Sequence, residues 1–256
     1  MHGFIVFLGK EFTEILRTWR LYVIPGILLF IGVTSPILAE VTPGLISSMG
    51  TLEGQGVVIQ IPPATTVDAY LQFSKNAMQI ALLAVIIATA GAISGERRSG
   101  TGQLVLTKPL SRTSMVIAKV VSNWALLAVT VVIAAGLCVA VTAVMFDTAL
   151  IAEFLKLVAI WYVLAALMVT VTVFFSVVLR SQPGAAGAGI ATFFALITLG
   201  LWSAARDYSP VGLTSAGDRL LMSTPDVSVV WPVATGIAAA LLLIAATAWV
   251  FNRQEL

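Results

Sequence analysis

The chain has 256 residues, 59% of them hydrophobic and 10% charged, and a formal net charge of +2. Soluble domains carry about 25% charged residues, and so short a chain lacks the polar surface to enclose this much apolar side chain, which excludes a water-soluble globule in favour of a fold solvated by lipid. The small net charge gives no reason to expect nucleic acid as a partner; the single cysteine, Cys138, permits no disulfide within the chain, and the single histidine, His2, rules out a histidine-based metal centre.

In chain order, residues 3–20 read as an amphipathic interfacial helix. Phe4, Ile5, Leu8, Phe12, Ile15, Leu16 and Trp19 recur at spacings of three and four, while Lys10, Glu11, Glu14, Arg17 and Thr18 occupy much of the opposite face. Lys10 and Glu14 form an i,i+4 pair, and such a helix lies along a membrane surface with its apolar face in the acyl boundary. Lys10, Glu14 and Arg17 are its candidate functional charges.

A helix rises about 1.5 Å per residue, so about 20 apolar residues cross a hydrocarbon layer of about 30 Å. Six windows qualify: 21–38, 77–94, 124–146, 157–179, 184–205 and 227–251. The first is interrupted by Pro25, Gly26 and Pro36, and it ends at Ala39-Glu40 without a cleavage pattern, so it reads as a retained span. Residues 40–76, with Pro43, Gly44, Gly50 and Pro62-Pro63, read as an ordered but irregular loop, and residues 206–226 as a loop holding a short helix. The short connections at 147–153 and 180–183 require antiparallel neighbours. Polar side chains within the windows, such as Thr89, Thr130, Thr170, Thr172 and Ser176, read as packing or backbone-bonding groups. Gly184, Gly187 and Gly189 form a small-residue face suited either to packing within the subunit or to a dimer seam.

The basic residues orient the spans. With the N-terminus inside, Lys10, Arg17, Arg20, Arg97, Arg98, Lys108, Arg112, Lys119, Arg180 and Arg253 are inner, against Lys75, Lys156, Arg206 and Arg219 outside. The expected fold is therefore an all-α polytopic membrane protein, with six transmembrane helices after an interfacial helix and both termini cytoplasmic. Residues 40–76 and 206–226 would then be extracytoplasmic.

The inner segment 95–112 holds more than a connector needs. Glu96, Arg97 and Arg98 end the second span, Gly100 and Gly102 permit a sharp turn, and an apolar helix over 103–107 is stopped by Pro109. Ser111 or Thr113 can cap the long helix that follows. The pattern Glu96, Gly100-Thr101, Leu104, Pro109, Ser111-Arg112 and Lys119 resembles that of type-2 ATP-binding-cassette (ABC) exporter permeases, most of all the branch serving nitrous-oxide-reductase maturation and peptide-antibiotic resistance. Together with the N-terminal helix, the six spans and the long first outer loop, the resemblance covers nearly the whole chain.

The resemblance implies that residues 95–112 are a coupling loop docking into a separate ABC ATPase. Glu96, Arg97, Arg98, Gly100, Thr101, Leu104, Pro109 and Arg112 would then be its ATPase-coupling residues. It also implies two ATPase copies carrying ATP and magnesium, a second permease subunit, identical or homologous, and a prokaryotic cell membrane. No G-x-x-x-x-G-K-[ST] motif occurs, so this chain has no P-loop and no cofactor of its own is expected. The alternative is a secondary transporter or channel working without ATP, but the windows hold neither a mid-membrane acid nor paired broken helices. An intramembrane enzyme is disfavoured, because zinc and Ser-His chemistry lack their histidine and no paired aspartates lie in mid-span.

Overall fold

The computed structural model describes residues 2–50, 62–95, 111–179, 181–224 and 228–253, and the regular structure among them is all helical. Helix α1 (His2–Arg17) is followed by α2 (Arg20–Gly50), then by α3 (Thr66–Asn76), a π-helical turn (Ala77–Ala81) and α4 (Leu82–Thr89), which together form the second span. Next come α5 (Arg112–Met145), α6 (Ile151–Val178) and α7 (Gln182–Leu199). A compact group of α8 (Ser203–Tyr208), a 3₁₀ turn (Pro210–Thr214) and α9 (Ala216–Leu221) precedes the last span, α10 (Val230–Arg253). Among the described residues, six helices are long and apolar enough to cross a membrane: Arg20–Ser47, Thr66–Thr89, Arg112–Met145, Ile151–Val178, Gln182–Leu199 and Val230–Arg253. If each of these six helices crosses once, α1 and the end of α10 share one face and the α8–α9 group lies on the other.

The first span is longer than its apolar window and is not interrupted. Helix α2 runs through Pro25, Pro36 and Pro43. Each proline removes one backbone hydrogen bond, but a break in hydrocarbon would strand several polar groups at once, so the helix persists. Of the residues expected in an irregular loop, 40–50 continue α2 and 66–76 form α3, while 51–61 lie outside the described residues. The start of α3 is set by a capping box: Asp68 N–H donates to Thr65 Oγ1, and Thr65 N–H donates to Asp68 Oδ2 at 2.9 Å.

Helix α6 is the centre of the bundle, with 78% of its most apolar window buried, against 17% in α7 and 22% in α10. It packs against α4, α5, α7, α9 and α10, and α2 packs along α5. The antiparallel neighbours demanded by the short connections are therefore present. Tyr70 of α3 stacks on Phe154 of α6 with centroids 4.1 Å apart, and Phe73 meets the same ring edge-on at 5.3 Å. Trp124 of α5 donates its indole N–H to the carbonyl of Ala166 at 2.9 Å, and Tyr162 of α6 donates to the carbonyl of Trp124. Most mid-span hydroxyls bond their own helix: Thr89, Thr130, Thr170, Thr172 and Thr192 each donate to the carbonyl four residues earlier. Of the small residues in α7, Gly189 faces inward, where an added Cβ would sit 2.8 Å from Ile86 and 2.9 Å from the Thr172 hydroxyl. That position serves packing within the subunit, whereas Gly187 meets nothing within 4 Å.

Candidate functional site

One set of polar contacts between elements lies at the termini-side end of the bundle. Residues 96–110, which contain Glu96, Arg97, Arg98, Gly100, Thr101, Leu104 and Pro109, lie outside the described residues. The expected helix over 103–107 falls there too. The two stems of that segment are described, and each is fastened to a different element.

The entering stem follows α4, which ends at Thr89 and gives way to a turn over 90–93. Two amides freed there are taken up by Ser176 of α6, whose hydroxyl oxygen accepts from Ser94 N at 3.0 Å and Ile93 N at 3.3 Å while bonding the Ser94 hydroxyl. Ser176 is fully buried. Ser176→Ala leaves two buried amides without their acceptor and is expected to cost about 2 kcal/mol. Thermal unfolding in lipid nanodiscs, with Thr192→Ala as the comparison, would measure the loss.

The exiting stem begins α5. Of the two expected caps, Ser111 is the one used: its hydroxyl accepts from Ser114 N at 3.1 Å. Arg112 turns toward the end of α10. Its guanidinium donates to the carbonyls of Phe251 at 3.0 Å and Asn252 at 3.4 Å, and lies 5.8 Å from the centroid of the Phe251 ring. Asn252 returns the contact by donating to the Thr113 hydroxyl at 3.2 Å. A cation at a helix C-terminus satisfies orphan carbonyls and complements the helix dipole. Arg112, whose role by resemblance is contact with an ATPase, thus also has an internal partner in the last span.

Two turns further along α5, Lys119 is buried and bonds both carboxylate oxygens of Glu11 on α1, at 3.2 and 3.1 Å. The side chains of Lys119 and Glu11 are only 3% and 6% exposed. The spacing of apolar residues in α1 by three and four places Glu11 on the opposite, polar face, and the structure corrects this. Phe7, Glu11 and Ile15, four residues apart, form the stripe against α5, while Ile5, Phe12, Leu16 and Trp19 are exposed. An exposed apolar flank of this kind suits the acyl boundary. The acid is accommodated because its partner arrives from α5.

The expected Lys10–Glu14 pair is present, and Lys10 also reaches Glu11 at 3.0 Å. Burial pushes the Glu14 carboxyl up, but the hydrogen bond from Lys10 and the positive charges of Lys119, Lys10 and Arg20 outweigh it and leave the group below its ordinary value. Arg17 ends α1 in an exposed position. Lys119 belongs to the family-like pattern, but its pairing with Glu11 is what the reading of the sequence passed over. The available signal was Glu11 lying four residues from both Phe7 and Ile15.

A family profile described as ABC-2 family transporter protein matches residues 5–226. The chain belongs to the ABC-2 transporter family. The match runs from α1 through α9, so the anchored stems, the Glu11–Lys119 pair and five of the six spans all fall within the shared region. This ABC-2 membrane protein is also similar to the uncharacterized transmembrane protein YxlG of Bacillus subtilis (strain 168), at 23% identity over 261 residues covering 100% of this chain and 99% of that protein. The family's membrane component carries no nucleotide-binding domain, in keeping with the lack of a P-loop sequence here.

Proposed function

We propose that this ABC-2 membrane protein is the permease of an exporter, driven by a separate ABC ATPase that docks on residues 95–112. The observation that carries this reading is the anchoring of both stems of that segment: one on α6 through Ser176, the other on α10 through Arg112 and on α1 through Lys119. A force applied to residues 96–110 would reach three parts of the bundle at once, which a topological connector has no need to arrange. Two ATPase copies, binding ATP and magnesium, would pair with this chain and a second permease, identical or homologous. The excess of Lys and Arg on the termini side supports cytoplasmic ends in a prokaryotic cell membrane.

Within this reading Glu96, Arg97, Arg98, Gly100, Thr101, Leu104, Pro109 and Arg112 form the ATPase-coupling surface. Allosteric coupling energies are typically about 1–3 kcal/mol, so losing one charged contact can abolish communication without unfolding the subunit. Glu96→Gln is expected to assemble with the ATPase yet lose roughly tenfold in transport-linked hydrolysis, measured on the purified complex in lipid. Unchanged hydrolysis would reduce Glu96 to an ordinary interfacial acid. A transport-active protein that needs no ATPase would overturn the reading as a whole.

A further inference from the structure

The face opposite the termini carries a second polar cluster, far along the chain from the stems. Gly217 lets α9 sit directly on α6, since an added Cβ there would lie 2.9 Å from Leu157 Cγ and 3.2 Å from its Cα. This close seating brings Asp218 against α3, where the Ser74 hydroxyl donates to its Oδ1 at 2.5 Å. Between them is a cavity of about 10 Å³ lined by Ser74, Asp218, Thr214 and Trp161 among apolar neighbours, room for the centre of one water molecule. Trp161 of α6 is 3% exposed, and its indole N–H has no acceptor among the described residues. A buried N–H without a partner costs about 1–3 kcal/mol, so it calls for an acceptor. A water molecule can supply one and pass a hydrogen bond on to the carboxylate.

We propose that Asp218, Ser74 and Trp161 form a proton-binding site holding one water molecule at this end of the bundle. The carboxylate takes a proton from hydronium and leaves water behind in the cavity. Burial raises the proton affinity of Asp218, and the Ser74 hydrogen bond and the charge of Lys75 on α3 hold the rise in check. The other charges on the elements around it are Asp68 of α3, which caps its own helix, Glu153 and Lys156 of α6, and Arg219 of α9, which is paired with Asp207 at 3.1 Å. Because the folded protein binds this proton more tightly than the unfolded chain, the stabilisation is fully present below the ordinary aspartate range and is lost as pH rises through the folded value. Docking of α9 on α3 and α6 is therefore firmest in acid.

Infrared difference spectra of the full-length protein in lipid, recorded across a pH titration, test this directly. A protonated-carboxyl band should persist above the ordinary aspartate midpoint of about 3.9, survive in Asp147→Asn and vanish in Asp218→Asn. Ser74→Ala should raise the proton affinity further, by about tenfold. Trp161→Phe, which keeps the ring and removes the N–H, should shift the band and release the bound-water signal. A band that survives Asp218→Asn, or titrates in the ordinary range, would overturn the proton site. An unshifted band with unchanged water signal in Trp161→Phe would overturn the water bridge. Both readouts are independent of any ATPase.

Discussion

Lys119→Met is expected to destabilise the protein by about 3 kcal/mol, the lower end of the range for breaking a buried ion pair. The variant leaves the Glu11 carboxylate buried, 4% exposed, and without its buried partner, while the half-exposed Lys10 stays at 3.0 Å. The loss should arise from the stranded charge rather than from the pair's intrinsic worth, because taking two ions out of water costs nearly what their attraction returns. The double variant Glu11→Leu with Lys119→Met should therefore recover to within about 1 kcal/mol of the parent. Thermal unfolding in nanodiscs gives all four corners of the cycle. A single variant as stable as the parent would show that water reaches the pair. The double variant carries a further expectation under the proposed function: it should fold yet transmit less of the ATPase signal, since α1 and α5 would then lack the Glu11–Lys119 ion pair.

Gly32→Ala is expected to cost about 2 kcal/mol, typical of overpacking a tight interface. A Cβ at this position would lie 2.5 Å from the carbonyl oxygen of Ala134 on α5, and a backbone atom cannot swing aside as a side chain does. Helices α2 and α5 must separate, and their long interface loosens with them. Gly26→Ala, in the same helix, supplies the contrast. Nothing lies within 4 Å of a Cβ there, so the substitution should be neutral or stabilising by up to about 1 kcal/mol through helix propensity. Opposite signs in one unfolding assay would establish that close helix approach, and not glycine's flexibility, keeps residue 32 small. Equal effects would refute it.

Much of the architecture was legible residue by residue. The composition demanded lipid, and each of the six apolar windows overlaps a helix that can span it, although 77–94 and 184–205 run several residues past the helix ends at Thr89 and Leu199. Ser111 or Thr113 was expected to cap α5, and Ser111 does so; the capping box of Thr65 and Asp68 is equally local and readable from a Thr-x-x-Asp spacing, though the reading did not draw it. These features are local: transfer energy, helical period and capping depend on neighbours within a turn or two. The prolines of α2 misled the reading because the cost of a break depends on the solvent around it, and in hydrocarbon the continuous helix is cheaper.

The candidate site divides along the same line. The sequence by itself determined that a charged, glycine- and proline-bearing segment joins the second and third spans, that the chain lacks a P-loop, and that the polar side of α1 carries Lys10, Glu14 and Arg17. Only the tertiary structure decided that Glu11 faces inward to Lys119, 108 residues away, that Arg112 closes the end of α10, and that Asp218 meets Ser74 across 144 residues. Burying a charge is unfavourable alone and tolerable beside its partner, so its place on a helix is set by what arrives from another helix. Periodicity records only the helix's own side chains, and therefore assigned Glu11 to water.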